Sequence, residues 1–116
     1  MSTRSRIGIE HSDGKITSVY CHHDGYLSDV GKTLYNHYNT EDRILELLTH
    51  GDMSSLGDTI ESCEFYGNPA DAALTHYTES QFREYAEEYN YLFRNGEWFW
   101  FYDDCPNWNK LEDVIR

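Results

Sequence analysis

A chain of 116 residues holds one domain with a single core, and 39% hydrophobic with 16% aromatic residues excludes a disordered composition. A formal net charge of −12 disfavours direct binding to nucleic acid or to an anionic membrane. No apolar run reaches the roughly 18 residues of a membrane span, "MSTRSRIGIE" lacks a signal-peptide core, and three scattered cysteines predict a reduced, cytosolic protein with free thiols.

"RIGIEHSDGKITSVYC" predicts a β-hairpin: Ile7 and Ile9 alternate with polar neighbours, Asp13-Gly14 turns, and Ile16 to Cys21 return. Asp24-Gly25 marks a further turn. Ser28 is placed to cap a helix through about Tyr38, with Val30, Leu34 and Tyr38 (or His37) inward. Thr40 caps a second helix that carries Glu41 and Asp42 in its first turn, as the helix dipole prefers. Its apolar set is Ile44, Leu45, Leu47 and Leu48, and Gly51 ends it. "GDMSSLGDTI" reads as loop, "ESCEFYG" as a strand, and Asn68-Pro69 opens a short helical turn. Phe82, Tyr85, Ala86 and Tyr89 fall at i, i+3, i+4 and i+7, which predicts a helix from Glu79 to Tyr89. "YLFRNGEWFWFY" predicts a second hairpin about Asn95-Gly96, and "NWNKLEDVIR" a closing helix or strand that buries Trp108, Leu111 and Ile115. With no repeat and no linker, the expectation is one α+β domain over residues 1–116. Its antiparallel sheet comes from the N- and C-terminal hairpins, with helices packed on one face.

Charge is uneven along the chain. Residues 1–40 balance four acids with four bases, and Glu112 and Asp113 face Lys110 and Arg116. Residues 41–104 hold fifteen acids against Arg43, Arg83 and Arg94. On the helix predicted over 79–89, Glu84, Glu87 and Glu88 project away from the apolar stripe. A charged helical run is ordinarily a solvated face of mixed sign; the scarcity of cations marks this one as a candidate docking stripe. In "GEWFWFY", Trp98, Trp100 and Tyr102 share one strand face, with Phe99 and Phe101 on the other. Such a strand is either covered on both sides or presents aromatic anchors to a partner. Asp103 and Asp104 follow at its rim. The candidate partner-binding set is therefore Glu84, Glu87, Glu88, Asp103 and Asp104, with Trp98 and Trp100 as anchors where exposed.

The run Cys21-His22-His23-Asp24 concentrates residue types that bind metals or move protons. Strand alternation sends His22 and His23 to opposite faces. Cys21 and His23 share a face, but a zinc site needs three or four ligands at about 2.0–2.3 Å, and no spacing points to the others. A strand end running into a turn accounts for the cluster. An alternative small-molecule or nucleotide pocket would use Tyr20, His22, His23 and Tyr26, with Arg4 or Arg6 for phosphate. A metal-dependent hydrolase at Cys21 and His23 is a minor third possibility. No nucleophile elbow, phosphate-cradling loop or His-Glu-x-x-His motif is present, so no catalytic residue, metal or cofactor is expected.

The opening "STRSRIGIEHSDGKITSVYCHHDGYLSDVGKTLYNHYNTEDRILELLTHGDMSSLG", with the closing "YNYLFRNGEWFWFY", resembles a family of small proteins found in phages and mobile bacterial elements. The resemblance covers nearly all of the first 56 residues and the last hairpin and assigns no residue a role. It implies a phage-type origin and a setting in the host cytoplasm. Small acidic phage proteins resemble, as a class, inhibitors of host defence: anti-CRISPR and anti-restriction proteins and DNA mimics. The expected function is a non-enzymatic inhibitor that binds a basic, nucleic-acid-handling host protein, with no direct nucleic-acid or membrane contact; the oligomeric state stays open.

Overall fold

Alternation of apolar and small residues makes both arms of the first hairpin strands, and the computed structural model, which describes residues 3–115, pairs them in register. Strand β1 (Ser5–Glu10) runs antiparallel to β2 (Ile16–Cys21) from Ser5 opposite Cys21 to Glu10 opposite Ile16. The second hairpin joins β6 (Tyr89–Arg94) to β7 (Glu97–Tyr102) around Asn95 and Gly96, both at positive φ, as a two-residue I′ turn requires. Between them lie the short strands β3 (Met53–Ser55), β4 (Glu64–Phe65) and β5 (Leu74–His76). A further strand, β8 (Cys105–Lys110), follows β7.

These eight strands of the described residues form one sheet in the order β4-β3-β2-β1-β6-β7-β8. Strand β5 shares the outer edge of β2 with β3: it takes Ile16 to Ser18, and β3 takes Cys21. The α+β class holds, but the sheet is mixed. The two hairpins meet through a parallel pair, β1 with β6, and β2 with β3 is parallel too. Strand β2 returns the chain to the end where β6 begins, since Ser5 pairs with both Cys21 and Tyr89, and residues 22–88 carry it past β1 to the other side.

Helices cover both faces rather than one. On the first, a π-helical turn at Leu27–Gly31 runs into α1 (Lys32–His37), followed by α2 (Glu41–Thr49) and, at the end, α4 (Glu112–Ile115). Ser28 lies inside that π turn and does not cap it, whereas the Thr40 hydroxyl accepts from the Arg43 N–H as predicted for α2. Under these helices sit Ile7, Ile9, Val19, Leu34, Ile44, Tyr91, Phe93 and Trp98. The opposite face holds a smaller cluster of Ile16, Phe82, Leu92 and Phe101 beneath α3 (Glu79–Arg83). "NWNKLEDVIR" resolves into the end of β8, a buried Leu111 and α4; Arg116 lies outside the described residues. No helix among the described residues is long and apolar enough to cross a membrane.

The core is aromatic, and three of its polar tips bond backbone carbonyls. Trp98 Nε1 donates to the Tyr38 carbonyl at 2.8 Å, the Tyr38 hydroxyl to the Gly57 carbonyl at 2.8 Å, and the Tyr91 hydroxyl to the Gly25 carbonyl at 2.7 Å. Each bond ties a connecting segment to the core, so the aromatic area is buried without leaving these donors dry. Trp98→Ala removes the ring and the first of these bonds. It is expected to cost about 3–5 kcal/mol, measured by urea or thermal unfolding.

Candidate functional site

The predicted helix over 79–89 ends at Arg83, because tertiary pairing takes the rest of the segment. Tyr89 donates its N–H to the Arg4 carbonyl at 3.2 Å and enters β6. The buried Asn90 side chain folds back on Glu87, accepting its N–H and donating to its carbonyl, both at 2.8 Å. Arg6 Nε donates to the Tyr85 carbonyl at 2.9 Å. Glu84, Glu87 and Glu88 therefore share no helical stripe. Glu84 lines a separate cleft with Tyr77, Gln81 and Tyr85.

Glu87 and Glu88 instead approach Asp103 at the open end of the β6–β7 hairpin, where the Asp103 N–H donates to the Glu88 carbonyl at 3.3 Å. Burial raises the Glu87 pKa, Arg6 and Arg4 lower it, and the charges of Asp103 and Glu88 raise it again. Glu88, Asp103 and Asp104 line a cleft of about 300 Å³ together with Tyr89 and Tyr102. None of these three acids has an ion-pair partner among the described residues. Other acids of the central segment do. Glu79 binds Arg83 and Arg94 at 3.0 and 2.7 Å, and Glu97 meets Lys110 at 3.5 Å. Glu41, Asp42 and Glu46 lie exposed on α2, and Asp58, Glu61 and Glu64 on or near the segment before β4. The negative charge of residues 41–104 is thus divided among several places.

Trp98 and Trp100 are 4% and 6% exposed and belong to the core, so neither can anchor a partner. Both faces of β7 are covered along most of its length. The exposed aromatics at this end are tyrosines: Tyr26 at 46% and Tyr102 at 36%. The Tyr89 ring lies 5.9 Å from Tyr26 and 5.1 Å from Tyr102, and Trp100 backs Tyr102 at 4.8 Å with perpendicular rings. Sequence reasoning missed this row. Its signal was the position of Tyr102, the last alternating aromatic before two aspartates, with a tip that tolerates water.

Of the N-terminal pocket, Tyr20, His22 and His23 come together and Tyr26 does not. Strand β2 ends at Cys21, so the alternation that would separate His22 from His23 stops there, and their rings touch at 4.6 Å. The Tyr20 hydroxyl bonds His22 Nδ1 at 2.6 Å. His23 lines a polar cleft with Asp24, Asp29, Lys32, His37 and Asp58, whereas Tyr26 packs on Tyr89. Arg6 is buried and already bonded. The Cys21 thiol is buried as well, which pushes its pKa up to about 11 and keeps it from acting as a nucleophile. No three His, Cys, Asp or Glu side chains among the described residues gather to hold a metal ion.

A second polar group escaped the sequence reading. Arg6 Nη1 donates to Ser18 Oγ at 3.0 Å, and Ser18 Oγ lies 2.7 Å from His76 Nε2. Ser18 Oγ thus bridges the Arg6 guanidinium and the His76 ring. Ser18 is fully buried, so the pair holds β2 to β5 rather than attacking a substrate. Burial and then the Arg6 charge lower the His76 pKa below 6.5.

Comparison with protein-family models, with curated proteins and with solved structures finds no match to this chain.

Since His76 binds a proton less readily folded than unfolded, its contribution to stability is full above pH 6.5 and is lost as pH falls from there toward the lowered value. The slope approaches about 1.4 kcal/mol per pH unit at most. His76→Gln keeps a neutral polar side chain and is expected to flatten that part of the profile. Urea unfolding of both proteins across the window checks it; identical profiles would place the proton elsewhere.

Proposed function

We propose that this protein is a non-enzymatic inhibitor that docks a basic protein surface through the acidic end of the β6–β7 hairpin. The observation that carries this reading is that Glu88, Asp103 and Asp104 line one open cleft with no cation among the described residues paired to them. Carboxylates without countercharge present a negative field that a cationic partner neutralises on binding. Glu87 adds to the field from a half-buried position, held by Arg6 and Arg4.

The partner chemistry follows from the sign of that field. A surface that handles nucleic acid displays the Lys and Arg needed to neutralise phosphates, and an acidic face that covers it competes with the nucleic acid. The resemblance to small phage and mobile-element proteins points to a host defence enzyme as the target, of the CRISPR or restriction type, inside the host cell. Charge steers the encounter, while the exposed tyrosines beside the acids set the lifetime of the complex.

The test is infection of bacteria that carry a defined CRISPR or restriction system, with and without this protein. Restored phage plating is the expected outcome, and a Glu88→Lys, Asp103→Lys, Asp104→Lys variant should lose it. All three positions are exposed, so the variant's stability should stay within about 0.5 kcal/mol per substitution. With the captured target in hand, the association rate should fall roughly tenfold or more between low and high salt. A rate indifferent to salt would remove the electrostatic basis of the proposal.

A further inference from the structure

The row of Tyr26, Tyr89 and Tyr102 lies against the acidic cleft, and its two outer rings face solvent. We infer that this cleft is a subsite for an arginine side chain of the partner protein, its guanidinium stacked on tyrosine and its N–H groups bonded to Glu88, Asp103 and Asp104. The inference rests on the docking surface proposed above and names the group that enters it.

Three observations select that occupant. The first is charge: three carboxylates around one cleft admit a cation and repel phosphate or carboxylate. The second is shape. The Tyr89 and Tyr102 rings meet at 62°, and the perpendicular indole of Trp100 supports Tyr102 from the core side. A planar cation lies flat on such a ring while its edge reaches the carboxylates; a compact ammonium uses only one of the two contacts well. The third is the protein's own usage. Arg83 lies 4.4 Å over Phe101 and 4.9 Å over Trp108 while its Nε donates to Glu79 at 3.0 Å. Arg94 lies 5.1 Å over Trp108 and bonds Glu10 and Glu79. Aromatic ring, carboxylate and guanidinium form a unit twice inside this fold. At the tyrosine row, ring and carboxylate are present and the cation is left for the partner to bring.

The experiment measures binding of fluorescent oligo-arginine and oligo-lysine peptides of equal length to the full chain at physiological salt. The arginine peptide is expected to bind about tenfold more tightly, the size of a good cation–π contact. Tyr102→Leu should abolish that preference and Tyr102→Phe should retain it, because the ring face and not the hydroxyl is used. Tyr26→Leu, in a separate segment, should reduce it, and thermal melts establish that each variant is folded. Equal binding of both peptides, or a preference that survives Tyr102→Leu, overturns the arginine subsite and leaves the acidic docking surface standing. Failure of both peptides to bind, or binding unchanged by lysine at positions 88, 103 and 104, overturns both.

Discussion

Parallel pairing of β1 with β6, from Ser5 beside Tyr89 to Ile9 beside Phe93, joins two hairpins that are distant in sequence. Backbone bonds across this seam put the N-terminal segment against the open end of the second hairpin. Arg4 accepts the Tyr89 N–H there, and Thr3 accepts the Gly25 N–H at 2.9 Å. Gly25 can sit so close only because it has no side chain: a Cβ would lie 2.9 Å from Ser5 Cβ and from the Thr3 carbonyl oxygen. The Tyr91 hydroxyl then holds the Gly25 carbonyl. Tyr26, next in the chain, is delivered onto Tyr89.

The two faces of the sheet solve different problems. The first buries large aromatic area and answers the tips of Tyr38, Tyr91 and Trp98 with backbone carbonyls. The second buries a guanidinium. Burial pulls the Arg6 pKa down, and the carboxylates of Asp52 and Glu87 oppose the shift. Desolvating such a charge is costly unless its donors are used; here Nε serves the Tyr85 carbonyl and Nη1 serves Ser18. The same side chain ends α3 early, links β2 to β5 through His76, and attracts Glu87 beneath the acidic cleft. One buried cation thus connects the smaller core to the surface proposed for docking.

Electrostatics at that surface follow from which acids find cations in three dimensions. Arg94 reaches Glu10 across the sheet at 2.9 Å and Glu79 at 2.7 Å. Lys110 on β8 reaches Glu97 on the neighbouring β7. These pairs remove carboxylates from the excess that the linear charge profile shows. Among the described residues, Glu88, Asp103 and Asp104 stay without an ion pair beside Tyr89 and Tyr102, and their effect on a partner is steering together with a few ring contacts.

Local chemistry was sufficient for the hairpins, the turns at Gly14 and Asn95-Gly96, the Thr40 cap, and the α+β class, because each depends on neighbours within a few residues. The helix over 79–89 misled for the same reason. Phe82, Tyr85, Ala86 and Tyr89 keep helical spacing, yet β1 and β7 offer Tyr89 strand partners, and Asn90 closes a turn on Glu87. The aromatic alternation in β7 was legible, but burial of Trp98 and Trp100 depends on α1, α2 and α4 arriving from elsewhere in the chain. Composition and sequence determined that the protein is acidic, aromatic and built from hairpins. Only the tertiary structure decided which acids stay unpaired and which tyrosines stand beside them, since both follow from contacts between residues as far apart as Tyr26 and Tyr89 or Glu10 and Arg94.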